Sequence, residues 1–182
     1  SAAECHVAAD ALAAHVNAHG LRSLQTEGIF DNLLKACKNK KSGFEREAGA
    51  VGLSTIFTKV GGKNAPLPLG AEPWFLPALP TLLDLYSDKG DVVREAAEGA
   101  VTALMSLPPS ETVPEVLALL YDVLENSATK WQVKVGALKI IGRLSDSASE
   151  QIGEQLVDLI PHLKNRMSDT KAEVSRKSCL RV

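Results

Sequence analysis

The sequence predicts an all-α protein built as a stack of antiparallel helix pairs, and three observations carry that expectation. Apolar residues recur at i, i+3, i+4 and i+7, the spacing of a helical face, rather than at alternate positions as in a strand. The apolar mass is Ala, Leu and Val. Hydrophobic residues make up 45% of the 182 and aromatics only 4%, which favours close helix packing over a β-sandwich. Finally, the pattern repeats. Asp88–Ala97 lies over Ala128–Ala137 and over Asp169–Ser178, so that Val93, Val133 and Val174 recur at steps of 40 and 41 residues.

That step falls in the range of HEAT and armadillo arrays, roughly 40–47 residues. The expected class is therefore a HEAT/ARM-like α-solenoid, a right-handed superhelix of helix pairs forming one domain over 1–182. The elements follow in order. Residues 1–20 read as a partial repeat, one helix closed by Gly20. Residues 27–60 read as a pair, Gly28–Cys37 and Gly43–Val60. The Gly/Pro-rich run Gly61–Gly70 reads as an inserted loop within 61–72 and stretches the step from Arg46 to Arg94. Three further pairs follow at 73–107, 112–145 and 152–182. Their first helices carry the faces Leu76/Leu79/Leu83, Val116/Leu120/Leu124 and Ile152/Leu156/Ile160/Leu163.

Prolines fit this order. Pro73, Pro114 and Pro109 sit near helix starts, where a missing N–H is harmless. Pro77, Pro80 and Pro161 fall inside first helices and should bend them. One helix pair cannot bury both its apolar faces, so neighbours must stack. The chain opens and stops inside helical patterns. Residues near its ends, such as Ala14 and Leu180, are therefore expected to belong to a longer array or to pack on another chain.

Several functions are disfavoured. A net charge of −2, from 20 basic and 22 acidic residues, forces neither a nucleic-acid nor a membrane role, although local patches escape that average. Cys5, Cys37 and Cys179 form no Cys-x-x-Cys pair and are odd in number, which points to a reducing, cytoplasmic setting. There is no apolar run long enough for a membrane span. His15 and His19 share a helix face but have no third ligand, so no metal is expected. Gly61-Gly62-Lys63-Asn64 fails the phosphate-loop pattern, with Phe57 where Gly is needed and Asn64 where Ser or Thr is needed. Cys37, on a helix face, reads as a small buried residue rather than a nucleophile. No catalytic constellation, small-molecule site or cofactor site stands out.

The basic residues are more informative. Lys35, Lys38, Lys40 and Lys41 cluster before the second helix of the first full pair. Lys130, Lys134, Lys139 and Arg143 run down a later second helix beside Trp131. Lys164, Arg166, Lys171, Arg176 and Lys177 crowd the last pair. A solenoid aligns equivalent positions, so these side chains are candidates for phosphate contacts. The plainer alternative is a solvated face balanced by acids such as Asp122, Glu125 and Asp158. Trp131 can stack on a base, anchor a partner or cap the neighbouring core.

Lys130-Trp131-Gln132-Val133-Lys134 and, some forty residues on, Asp169-Thr170-Lys171-Ala172-Glu173-Val174 resemble motifs in the N-terminal HEAT region of the fungal translation elongation factor three family. The resemblance runs from about Pro73 to Arg176. It implies a non-catalytic scaffold that binds the ribosome, through rRNA and ribosomal proteins, within a cytoplasmic ABC-F-like ATPase. ATP and magnesium would belong to cassettes outside these residues. The Gly61–Gly70 insertion and Glu72-Pro73-Trp74 depart from the elongation factor itself and suit a paralogue, such as the prion-forming or mRNA-export protein. A HEAT protein–protein adaptor, as in the related region of the giant activator of the starvation-response kinase, is the alternative that the resemblance leaves open.

Overall fold

The computed structural model describes residues 2–60, 72–106, 112–167, 169 and 171–178. All regular structure among them is helical. The Gly61–Gly70 insertion, with its Gly61-Gly62-Lys63-Asn64 run, Pro109, Thr170, Cys179 and Leu180 lie outside the described residues. The chain forms two compact units, residues 1–108 and 109–182.

In the first unit, α1 (Ala2–His19), α2 (Ser23–Thr26), α3 (Ile29–Cys37), α4 (Gly43–Val60), α5 (Glu72–Asp84) and α6 (Asp91–Met105) follow in order, with a 3-10 turn at Leu85–Ser87. Helix α4 is the hub, packed against α1, α3 and α6. Helix α1 buries Ala9, Ala13 and Val16, while Ala14 faces solvent. It ends as expected at Gly20, whose φ of 83° is left-handed backbone that suits glycine, and whose N–H donates to the Val16 carbonyl at 2.8 Å. The short α2 was not foreseen. It forms because Ser23 Oγ donates to the Gly20 carbonyl at 2.7 Å and Leu24 buries.

Small residues set the spacing of the pair α3–α4. A Cβ on Gly49 would lie 2.8 Å from Cys37 Sγ and 2.8 Å from the Leu33 carbonyl oxygen. Helix α5 holds Pro77 and Pro80 and passes into the 3-10 turn. Its Leu79, Leu82 and Leu83 are buried, as are Val93, Ala97, Val101 and Leu104 on α6, which packs against it. Burying each such side chain contributes roughly 1.5–3 kcal/mol.

The second unit contains α7 (Val113–Glu125), α8 (Trp131–Ser147), α9 (Ser149–Glu154), α10 (Leu156–Met167) and α11 (Ala172–Ser178). Helix α8 packs on α7 and α11, and α10 packs on α11 and α7, giving two helical layers. Pro114 lies in the first turn of α7. The first helix of the last pair is not one rod bent at Pro161. It breaks at Gln155, between α9 and α10, beside Gly153 with its poor helix propensity. Pro161 lies further on, in the second turn of α10, where its missing N–H removes one helical bond.

One device recurs at all four reversals from first to second helix. A side-chain oxygen accepts the backbone N–H two residues ahead: Asn39 from Lys41 at 2.8 Å, Asp88 from Gly90 at 2.9 Å, Asn126 from Ala128 at 2.9 Å and Asp169 from Lys171 at 3.0 Å. Asp88 does more. Arg46 Nε donates to its Oδ2 at 2.6 Å and Nη2 to its Oδ1 at 3.2 Å, joining α4 to the next turn. Arg46 Nη1 also donates to the Asn39 carbonyl at 2.7 Å. Burial alone would raise the Asp88 pKa. The Arg46 hydrogen bond, the Gly90 N–H, the Arg46 charge and the Lys89 N–H outweigh that, and hold it below the ordinary carboxylate value.

The sign of the linkage follows. A depressed carboxylate stabilises the fold above its unfolded pKa and loses that contribution as pH falls through its folded pKa. Arg46→Met should therefore cost about 1–3 kcal/mol at pH 7, with the gap narrowing below about pH 4. Urea unfolding at pH 7 and pH 3 measures this, and a gap independent of pH contradicts the pairing. Gly49→Ala should cost a further, independent 1–3 kcal/mol or so by forcing α3 from α4. Thermal unfolding reads that loss.

Candidate functional site

The ten residues expected to meet a partner all fall in the second unit, on α8, α10, α11 and the turns leading into them. Helices α8 and α11 pack side by side, and α11 packs on α10, so these elements form one local structure. Lys130, Trp131, Arg143, Lys164, Lys171, Arg176 and Lys177 are exposed, whereas Lys139 and Arg166 are half-buried. Arg166 lies 3.6 Å from Asp169, and Arg176 Nε donates to the Ala172 carbonyl at 3.3 Å. Lys139 and Arg143 also hold interactions within the protein.

Lys134 corrects the expectation. It is only 7% exposed and does not belong to the open face. Helix geometry explains this, because Lys134 shares a ridge with Ala137, Leu138 and Ile141, three, four and seven residues on, all buried. Its repeat register explains it further. Lys134 occupies the position of Arg94, whose Nη1 donates to the Asp88 and Lys89 carbonyls at 2.7 and 3.2 Å, and of Arg46, which binds the Asn39 carbonyl. In this register Arg46 and Arg94 each bind a carbonyl of their own turn.

Trp131 opens α8 and is 37% exposed, so the indole keeps an accessible edge beside Lys130. Over 130–147 and 171–178 the sequence holds seven Lys and Arg, counting Lys134, against two acids, Asp146 and Glu173. This local excess contrasts with a net charge of −2 for the whole chain. Of the acids thought to balance it, Asp122 and Glu125 lie on α7 and Asp158 in the first turn of α10. Glu125 is engaged elsewhere, with its Oε1 2.7 Å from His162 Nδ1.

That contact belongs to a cluster the sequence reading missed. The His162 ring of α10 stacks on Tyr121 of α7, centroids 4.0 Å apart. Burial, and secondarily the charge of Asp158, pushes the Tyr121 phenol up to about 12, so it stays neutral. Among the described residues the Tyr121 hydroxyl, Gln132 Oε1 and His162 Nδ1 are buried without a hydrogen-bond partner, so the close approach of His162 to Glu125 is not aligned as a hydrogen bond. A Tyr and a His on successive first helices were the only available signal.

The other candidates resolve locally. The His15 and His19 rings stack at 4.2 Å. His15 Nε2 lies 2.8 Å from Glu27 Oε2, and His19 Nδ1 donates to the His15 carbonyl at 3.0 Å. Burial pushes the Cys37 thiol up to about 12, which keeps it from being a nucleophile near neutral pH. Among the described residues there is no group of three His, Cys, Asp or Glu able to hold a metal ion. Among the same residues no helix is long and apolar enough to cross a membrane. In the first unit, Cys5, Ala8, Leu12, Leu33, Phe44 and Gly52 help line an apolar groove of about 360 Å³. Lys35, Lys38, Lys40 and Lys41 are exposed in that unit.

Stacked helix pairs whose reversals are held by Asn or Asp side chains define a HEAT-type α-solenoid module. The chain matches the model of the EF3 N-terminal HEAT repeat over residues 5–179, and it belongs to that family. It is 42% identical over 161 residues to mRNA export factor elf1 of Schizosaccharomyces pombe, covering 88% of this chain and 15% of that protein. It is 34% identical over 166 residues to Elongation factor 3 of Gonapodya prolifera, covering 91% of this chain and 15% of that protein. Human Stalled ribosome sensor GCN1 is 30% identical over 174 residues, 96% of this chain and 6% of its own length. The chain thus spans only about a seventh of the first two relatives.

The contrast between Lys134 and Lys130 is directly testable. Lys134→Glu should destabilise the chain by about 1–3 kcal/mol, since it places a carboxylate in a buried basic register. Lys130→Glu, on the surface, should change stability by less than about 0.5 kcal/mol. Denaturant titration of both variants checks this; equal losses would mean that Lys134 is not structural.

Proposed function

We propose that the chain is a ribosome-binding HEAT module of an elongation-factor-3-like protein, docking on rRNA phosphates through the second unit. The observation that carries this reading is the concentration of exposed Lys130, Lys164, Lys171, Arg176 and Lys177, beside Trp131, on helices that pack together. Membership in the EF3 HEAT family supports it, as does similarity to a protein named as a stalled ribosome sensor. The module does no chemistry. Its cations displace counterions from phosphates, and Trp131 adds an apolar anchor. In the whole protein, ATP hydrolysis would be supplied by cassettes beyond these residues, in the cytoplasm. A second reading, a protein adaptor akin to an mRNA-export factor, draws on the relative named for that role and on the exposed apolar face of α10.

Cosedimentation with purified ribosomes tests the first reading. Binding should weaken at least tenfold between 50 and 200 mM salt, the behaviour of a surface that contacts several phosphates. Lys130→Glu with Lys171→Glu should weaken it at low salt, with both substitutions leaving the fold intact. Absence of binding at every salt concentration sinks the proposal and leaves the adaptor.

A further inference from the structure

The first unit carries a basic edge that ribosome docking through the second unit does not use. Lys38, Lys40 and Lys41 are exposed at the reversal from α3 to α4, and Lys89 is exposed at the reversal from α5 to α6. One guanidinium holds these two reversals together, because Arg46 donates both to the Asn39 carbonyl and to the Asp88 carboxylate. Each of the four lysines lies within two residues of Asn39 or Asp88, so all four share one edge. The acids there are already engaged. Asp88 is held by Arg46 and the Gly90 N–H, Asp91 pairs with Arg94, and Glu45 Oε2 accepts from the Asn39 side-chain amide at 2.6 Å.

An apolar pair adjoins the lysines. Phe44 is 55% exposed and Val92 57%, and each sits two residues before the arginine of its own repeat, Arg46 or Arg94. They are thus equivalent positions in the first turns of α4 and α6, which pack on one another. Glu47 and Glu95 follow three residues later, about one helical turn further in, and bound the edge on that side. Phe44 also lines the apolar groove of about 360 Å³, so the apolar surface extends into a cavity that admits an anchoring side chain. An RNA backbone would answer the lysines alone, since an aliphatic side chain gives a phosphate no partner. A protein segment answers both features.

We infer that this edge docks an extended acidic segment of a separate protein, whose carboxylates meet Lys40, Lys41 and Lys89 and whose apolar side chains rest on Phe44 and Val92. The axes of packed helices lie about 8–10 Å apart, and three residues of extended chain span about 10 Å, so apolar side chains three residues apart reach both positions. Charge sets the occupant: a second copy meeting this edge through its own edge would set lysine against lysine. The docking involves the first unit alone and stands apart from ribosome binding by the second.

The probe is a fluorescein-labelled peptide of Glu-Asp-Leu repeats, compared with one of Glu-Asp-Ser repeats and with a labelled RNA hairpin. Each is titrated by fluorescence anisotropy into the 182-residue chain and its variants. The leucine peptide should bind about tenfold more tightly than the serine peptide, the effect of burying its apolar side chains. Lys40→Glu with Lys89→Glu should weaken the leucine peptide about tenfold, whereas Lys130→Glu with Lys171→Glu should leave it unchanged. Val92→Ser and, separately, Phe44→Ser should weaken the leucine peptide severalfold and leave the serine peptide as it was. Circular dichroism melting checks that each variant is folded, and Val92→Ser, at an exposed position, carries the apolar test if Phe44→Ser unfolds. Absence of binding, equal affinities for the two peptides, or a leucine peptide indifferent to Lys40→Glu with Lys89→Glu overturns the inference. An RNA hairpin that binds more tightly than the leucine peptide and is lost in that same double variant would make RNA the occupant, and would overturn the assignment.

Discussion

The rest of the structure depends on a hydrogen bond that spans two residues. At each reversal an Asn or Asp side chain accepts the N–H two positions on, at Asn39, Asp88, Asn126 and Asp169. A short polar side chain can imitate a backbone turn in this way. The bond holds the chain in a turn three to five residues before the second helix starts. Each apolar face then meets its neighbour, and leucines and valines of both units are buried. In the second unit the turn after Asn126 runs two residues longer than those after Asp88 and Asp169, and those added residues bring Lys130 and Trp131 to the start of α8.

Basic residues serve two unlike purposes, and register separates them. One register in three of the pairs holds Arg46, Arg94 and Lys134; Lys134 is buried, and Arg46 and Arg94 are half-buried. Arg46 and Arg94 tie their own turns through backbone carbonyls, and Arg46 reaches onward to Asp88. A guanidinium does this well because its planar fork can donate to several acceptors at once. Lys134 has only one ammonium for the same position, and it is as buried as the aliphatic residues around it. Lys130, Lys164, Lys171 and Lys177 are exposed on or beside α8, α10 and α11, whereas Arg166 approaches Asp169 and Arg176 binds the Ala172 carbonyl. The electrostatic face proposed for partner binding is thus what remains after the fold has taken its share of the lysines and arginines.

Much of this was legible from spacing alone. Apolar residues at helical intervals located every long helix to within a few residues, since burial of one face demands that pattern whatever the partner. What escaped was local. Aligning Val93, Val133 and Val174 set Ala128 against Asp88 and hid Asn126, two residues earlier, as the true counterpart. The proline rule placed a bend at Pro161, while the helix breaks at Gln155. Charge made Lys134 look like a surface residue, although its three-, four- and seven-residue neighbours were all apolar. The Arg46–Asp88 bridge was hidden by the inserted run between them, which stretches that repeat step. Tyr121 and His162 stack across two helices, and nothing in either segment alone announces it.

Because each reversal is held by atoms only two residues apart, the chain closes its hairpins with very short loops. Loop-closure entropy is then small at these reversals, and most contacts lie close along the polypeptide. Such a chain has several places to begin folding, as stacked-repeat proteins do, and each finished hairpin is a surface on which the next can assemble. The same locality suits a chain emerging slowly from the site of its synthesis. The turn of an N-terminal pair can form before the C-terminal pairs exist, since its own hydrogen bond requires nothing that has not already been made, and the pair is completed when its neighbour stacks on it.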